Sequence, residues 1–320
     1  MSPRFARRRA GSRGPLSGVI AAIAGLTVAA AVACTAPPPP DDGGDPEGNV
    51  PAVEDNGTGV APPRAFEQVA AGVAHACART VFGVLACQGE QVLGAASPPL
   101  GVFVDVSVGA LEACAIRTDR SLVCWPLTPT LGLPPPPGAF VSVSSGAAHS
   151  CAVRVDGALA CWGSERLGSA AAPGGAFLDV SAGVGASCGV TTGGQLMCWG
   201  EDEDVIFTPT GLALYSDVSV GAGFACALLT TGEILCWGAG TSGVTEPPAG
   251  IFRSLSAGVD HACALRSDGA VLCWGSDEFG QASGAEGTFV DVSAGDRLSC
   301  AVSFDGAALC WGRDAPTFPR

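Results

Sequence analysis

The sequence predicts an all-β fold, a seven-bladed β-propeller with one intra-hairpin disulfide per repeat. Three observations predict it: cysteines that recur in pairs at a fixed period, short β-branched runs punctuated by Gly and Asp-Gly, and apolar residues on both faces of every hairpin. The pairs are Cys77/Cys87, Cys114/Cys124, Cys151/Cys161, Cys188/Cys198, Cys226/Cys236, Cys263/Cys273 and Cys300/Cys310. Their first members lie 37 residues apart, except for 38 between Cys188 and Cys226.

Each unit opens with an aromatic eleven residues before its first Cys: Phe66, Phe103, Phe140, Phe177, Tyr215, Phe252 and Phe289. A branched aliphatic follows three residues on, and five before the Cys stands a Gly in all seven units (72, 109, 146, 183, 221, 258, 295). This is the first strand. The second begins at the Cys, which is always followed by Ala or Gly. A Gly six residues after the first Cys marks a turn in six units, with Arg120 as the exception. The third strand ends in Cys-Trp-Gly. The Trp is missing only from the first unit, where Gln88 stands, and the Gly only from the second, where Pro126 stands. No helix-length apolar stripe occurs in the repeat region. The variable Pro/Gly-rich stretch after Trp-Gly has room for a fourth strand.

The turn fixes the register. With Ser267-Asp268-Gly269 as a three-residue hairpin loop and Gly269 in the left-handed position, Arg266 opposes Ala270 and Leu265 opposes Val271. Cys263 then faces Cys273 in a non-hydrogen-bonded pair, where side chains approach most closely. A two-residue loop would shift the register and part them. Zinc sites prefer short Cys spacings and clustered ligands, and this spacing supplies neither. The hairpin carries Cys263, Leu265, Val271 and Cys273 on one face and Ala264, Leu272 and Trp274 on the other. Two apolar faces require a neighbour on each side, which a ring of blades provides.

The unit resembles the repeat of the regulator of chromosome condensation family through Val292-Ser-Ala-Gly295, Cys310-Trp-Gly312, His261-x-Cys-Ala-Leu265 and Asp268-Gly269. The resemblance implies seven blades over about residues 66–312, and a rigid disk that presents loops to a protein partner. The family's Gly-Gln-Leu-Gly loop survives only as Phe279-Gly280-Gln281, and paired cysteines are untypical of intracellular members. The founding member is a nuclear guanine-nucleotide exchange factor, and no motif here supports that activity. A secreted bacterial branch inhibits β-lactamases by protein contact.

Ahead of the repeats, an Arg-rich start leads into an apolar stretch, Leu16 to Ala33, that ends in small residues. This reads as a signal peptide over 1–33. Ala31-Val32-Ala33-Cys34 resembles a lipobox and makes Cys34 the candidate lipidation site. The same residues also satisfy an ordinary A-x-A cleavage site. Residues 34–63, rich in Pro, Asp and Gly, read as a tether, and 64–320 as the seven-repeat propeller.

The 320 residues are 48% apolar and 14% charged, with 30 acids against 16 basic residues, all Arg, for a net charge of −14. That balance disfavours nucleic acid as a partner. Fifteen cysteines point to an oxidising compartment. The expectation is an exported monomer, an outer-membrane or cell-surface lipoprotein, with a periplasmic or secreted protein as the alternative. It would bind a protein or glycan and meet the membrane through its lipid. A secreted inhibitor and an exported hydrolase or lyase are the other readings.

The sequence shows no catalytic constellation, cofactor motif or metal set. Glu201, Asp202, Glu203 and Asp204 form a candidate contact cluster after Trp199-Gly200. His75, His149 and His261 share one repeat position, which reads as structural. The recurrent Asp105, Asp179, Asp217 and Asp291 read as strand caps or loop fixers. Gln88 and Arg120 read as marks of atypical units near ring closure.

Overall fold

The computed structural model describes residues 66–89, 97–126, 135–164, 172–206, 208–209 and 211–318. The signal peptide, Cys34 and the tether lie outside them. All described residues belong to the second of two compact units, 59–320.

Seven three-stranded antiparallel sheets follow one another along the chain. The first strands are Phe66–Ala71, Phe103–Val108, Phe140–Ser145, Phe177–Ala182, Tyr215–Val220, Phe252–Ala257 and Phe289–Ala294. The middle strands are His75–Thr80, Glu112–Arg117, His149–Arg154, Ala186–Thr191, Phe224–Leu229, His261–Arg266 and Leu298–Ser303. The outer strands are Leu85–Gly89, Leu122–Pro126, Leu159–Gly163, Leu196–Gly200, Ile234–Gly238, Val271–Gly275 and Ala308–Gly312. Among the described residues no sheet has a fourth strand. The one described helix is α1 (Glu203–Ile206).

The hairpin register is the expected one. In every blade the first Cys faces the second across the middle and outer strands. The seven disulfides are Cys77–Cys87, Cys114–Cys124, Cys151–Cys161, Cys188–Cys198, Cys226–Cys236, Cys263–Cys273 and Cys300–Cys310. Their Cα–Cα distances are 4.0–4.1 Å, the close approach of a non-hydrogen-bonded pair. The turn closes with Arg266 N–H donating to the Ala270 carbonyl at 2.8 Å, and Gly269 has φ +90°. Arg120 takes the same left-handed conformation, φ 71°, without the freedom of glycine.

The two members of a pair differ in burial, which the repeat pattern alone does not distinguish. The first Cys of every pair is fully buried. Of the second members only Cys87 is buried, while Cys124, Cys161, Cys198, Cys236, Cys273 and Cys310 are half-buried. The cause is position in the sheet. The first Cys lies on the middle strand, covered by a strand on either side, whereas the second lies on the outer strand, whose far edge carries no further strand among the described residues.

The core is divided into seven clusters, one at each junction between blades. Between blades 1 and 2, Cys77, Leu85 and Cys87 meet Phe103, Val106, Ala113, Ala115 and Trp125. Between blades 6 and 7, Cys263, Leu265 and Val271 meet Phe289, Val292, Ala301 and Trp311. The disulfide-bearing face of one blade thus packs on the Ala/Trp face of the next, and the small residue after each Cys makes room for the partner. The ring closes with the same contacts: Leu298, Cys300 and Val302 of blade 7 pack on Phe66, Val69, Ala76 and Ala78 of blade 1.

Candidate functional site

The first strands line the axis, where their open edges would leave backbone N–H groups unpaired. Side chains of the neighbouring blade satisfy them. Ser107, Ser144, Ser181, Ser219, Ser256 and Ser293 each accept a backbone N–H of the following blade through Oγ at 2.8–3.0 Å. Ala70 holds the equivalent position in blade 1.

The four recurrent aspartates also bridge blades, two residues earlier. Asp105 Oδ2 accepts Val143 N–H at 3.0 Å, and Asp291 Oδ2 accepts Val69 N–H at 2.8 Å. Asp179 accepts Val218 N–H at 3.4 Å, and Asp217 accepts Leu255 N–H at 3.3 Å. Inter-blade clamping, rather than capping within a blade, explains their recurrence.

Desolvation raises the pKa of all four carboxyls. Asp291 rises to about 6. Asp217, which also hydrogen-bonds and repels the adjacent Asp179, rises to about 8. The Asp217 carboxyl is therefore largely protonated in neutral solution. Such a pair could exchange protons, but each member already spends an oxygen on the next blade's backbone.

At the far end of the first strands the seven repeat glycines surround a cavity of about 100 Å³, lined by Gly, Ala and Val together with Ser145 and Asp296. These glycines answer to close approach. A Cβ on Gly146 would stand 2.6 Å from the Gly183 carbonyl oxygen, and one on Gly72 would stand 2.8 Å from that of Gly109. In five blades the following residue's N–H donates to the next blade's glycine carbonyl, as from Ala110 to Gly146 at 3.1 Å and from Asp296 to Gly72 at 3.0 Å, while Ala222 N–H donates to the Val259 carbonyl at 3.1 Å.

The three histidines are buried, and two of them obey a pairing rule with the next blade. His149 Nε2 meets Ser187 Oγ at 2.7 Å, and His261 Nε2 meets Ser299 Oγ at 2.8 Å. Glu112, at the same repeat position, accepts a hydrogen bond from Ser150 at 2.6 Å. Where the position is apolar (Ala186, Phe224, Leu298), the next blade offers Ala225, Ala262 or Ala76. His75 breaks the rule: it faces the blade that carries Ala113, and its buried Nε2 has no partner among the described residues. Burial lowers the pKa of His75 and of His149 to about 4, so both are neutral. Comparing the residue before each Cys with the residue two before the previous Cys exposes this rule in the sequence.

The acidic cluster surrounds α1. Asp202 Oδ1 accepts Asp204 N–H at 3.2 Å, while Glu201, Glu203 and Asp204 face solvent. Val205 turns inward, fully buried, and its carbonyl accepts Trp237 Nε1–H at 2.9 Å. Gln281 fills the same role in blade 6: it is fully buried, and its carbonyl accepts Trp311 Nε1–H at 3.0 Å. Among the described residues the one tight group of potential metal ligands is Glu112, Cys114 and Cys124, and its two thiols are joined as a disulfide.

The two faces differ. The mouth of the cavity, the acidic cluster and the loops after Trp-Gly share one. The hairpin turns share the other with the entries to the first strands, since Phe103 N–H donates to the Gly83 carbonyl at 2.8 Å. On that face Phe82, Leu100 and Leu212 are 77%, 95% and 99% exposed.

This architecture defines a disulfide-stapled, RCC1-like propeller. Residues 140–168, 177–204, 215–244 and 252–281 match the model of the Regulator of chromosome condensation (RCC1) repeat. The chain is similar to the crystal structure of the entire ectodomain of the Physcomitrella patens receptor kinase CR4, with 25% identity and a TM-score of 0.66 over 76% of this chain and 73% of that one. It is also similar to the CRINKLY WD40 ectodomain of the Arabidopsis thaliana receptor kinase ACR4, at 21% identity and a TM-score of 0.68, covering 80% and 97%. Prp20p of Saccharomyces cerevisiae shares the fold at 12% identity and a TM-score of 0.60, covering 79% and 82%. A search of curated proteins finds no match.

Proposed function

We propose that the protein is an exported binding module, anchored by a lipid on Cys34, whose rigid disk engages a protein or glycan outside the cytoplasm. The observation that carries this reading is the disulfide in every blade. Seven such pairs persist only where thiols oxidise, and the similar propeller of the Physcomitrella receptor kinase is an ectodomain. The disk acts by presenting a surface rather than by catalysis, as a monomer and without nucleic acid.

Two experiments test the proposal. Radiolabelled palmitate should enter the wild-type protein and not the Cys34→Ser variant; label in neither would remove the anchor. For the binding role, photo-crosslinkers placed at Phe82, Leu212 and Glu203 in the native envelope should yield one discrete adduct from one face. Uniform absence of adducts, or alkylation of the paired cysteines as free thiols in intact cells, would overturn it.

A further inference from the structure

Six of the seven junctions pack a tryptophan from the later blade, Trp125 and Trp162 buried and Trp199, Trp237, Trp274 and Trp311 partly buried. The ring-closing junction, blade 7 against blade 1, has none, because blade 1 carries Gln88 at that position. In its place the closing cluster contains Phe318, from the segment that follows the last strand. Phe318 stands edge-on to Phe66, with ring centroids 5.8 Å apart and planes at 64°. In blade 4 the equivalent pair, Phe177 and Trp199, has centroids 6.5 Å apart and the same 64° angle. We propose that residues 313–318 form a latch, whose Phe318 supplies the aromatic ring that blade 1 lacks and so closes the propeller.

The path of the segment supports this. Arg313 N–H donates to the Arg297 carbonyl at 2.8 Å, and both guanidinium groups lie over the Phe279 ring, that of Arg313 at 5.1 Å and that of Arg297 at 5.0 Å. Asp314 then takes a left-handed conformation, φ 50°, which turns the chain. Non-glycine residues occupy that region at a cost, and Asp tolerates it better than most. Pro316 is buried, and Phe318 follows two residues later.

At three other junctions the crossing segment meets the tryptophan through a hydrogen bond. Trp237, Trp274 and Trp311 each donate Nε1–H to the carbonyl of the loop that crosses from the preceding blade: Val205, Val244 and Gln281. Residues 313–318 follow Trp311-Gly312 as the crossing segments follow the other Trp-Gly pairs, and Phe318 stands seven residues after Trp311 as Gln281 stands seven after Trp274, so at the seam the crossing segment itself supplies the ring. Phenylalanine fills the space with no donor to satisfy.

The latch is a separable piece of chain, so it can be tested by substitution and rescue in the full, oxidised protein. Phe318→Ala should lower the thermal midpoint by roughly 5–10 °C and expose the chain around Phe66 and Gln88 to limited proteolysis. Phe318→Leu should recover part of the loss. Gln88→Trp should restore the midpoint of Phe318→Ala. In the wild-type background it should instead displace the tail and make residues 313–318 protease-sensitive. An unchanged midpoint in Phe318→Ala would overturn the proposal, as would failure of Gln88→Trp to rescue it.

Discussion

The junction between blades 6 and 7 and the seam between blades 7 and 1 solve the same packing problem with different parts. On the axial side they match. Ser256 clamps Ala294 N–H as Ser293 clamps Ala71 N–H, and Val259 N–H reaches the Gly295 carbonyl as Asp296 N–H reaches that of Gly72. Toward the rim they part. The first junction has the His261–Ser299 pair and a tryptophan hydrogen-bonded to Gln281, while the seam has Leu298 on Ala76 and Phe318 in place of Trp. The difference shows where identity is enforced. Backbone-to-backbone approach at the axis leaves one solution per blade, and the rim accepts any pair that matches in size and polarity.

The largest effect should come from breaking the axial side. Gly146→Val drives a branched side chain into the Gly183 carbonyl and should cost about 3 kcal/mol or more. Denaturant titration of Gly146→Ala beside Gly295→Ala sharpens the comparison, because the seam and an ordinary junction should lose alike there. A seam that tolerates the change would separate the two.

Removing one staple comes next. Cys263→Ser with Cys273→Ser should lose about 2–3 kcal/mol in the chain-entropy account. The loss should stay local, so hydrogen exchange should rise in blades 6 and 7 and not across the ring.

The axial carboxyls give a pH dependence. A carboxyl whose pKa is raised by folding binds more protons folded than unfolded, so its contribution to stability falls as pH rises from about 4 and levels off above about 8, the value for Asp217. The buried His75 and His149, with pKa lowered from 6.5 to about 4, act with the opposite sign below 6.5, so the drop in thermal midpoint should show between about pH 6.5 and 8. Asp217→Asn should flatten the slope, raising the midpoint at pH 8.5 and barely changing it at pH 4. An unaltered slope in the variant would assign the dependence to other groups.

The smallest effect should come from repairing the rule that His75 breaks. Ala113→Ser supplies the missing hydroxyl and should add about 1 kcal/mol, with the His75 ring resonances shifting in NMR. The same serine opposite Leu298, as Ala76→Ser, should destabilise.

The sequence carries most of the fold because the chain aligns with itself seven times. The Cys register, the turn glycine and the two apolar faces follow from strand geometry within one hairpin, and a hairpin is a local object. The unequal burial of Cys151 and Cys161, or of Cys226 and Cys236, depends instead on which strand ends the sheet, and spacing does not record that. The clamps were harder to see because they join one blade to the next: Asp217 recurs visibly, but its acceptor role toward Leu255 N–H belongs to a different unit. Phe318 stands seven residues after Trp311, where Gln281 stands after Trp274, but that stretch varies from unit to unit, so periodicity does not single it out, although Gln88 marks the blade that needs it. The acidic cluster looked like a contact site, yet half of its purpose is to position Val205 under Trp237. A binding partner leaves no period, since the exposed loops vary freely from blade to blade.

The central claim is that each blade is closed by its own cysteines and the ring is built from such blades. A peptide mass map of the mature protein, prepared without reduction and with free thiols blocked at lysis, tests it most directly. The account predicts seven linked peptides pairing each cysteine with the one ten positions later, and no blocked thiol among these fourteen. Links between cysteines of different blades, or blocked thiols at the paired positions, would contradict it.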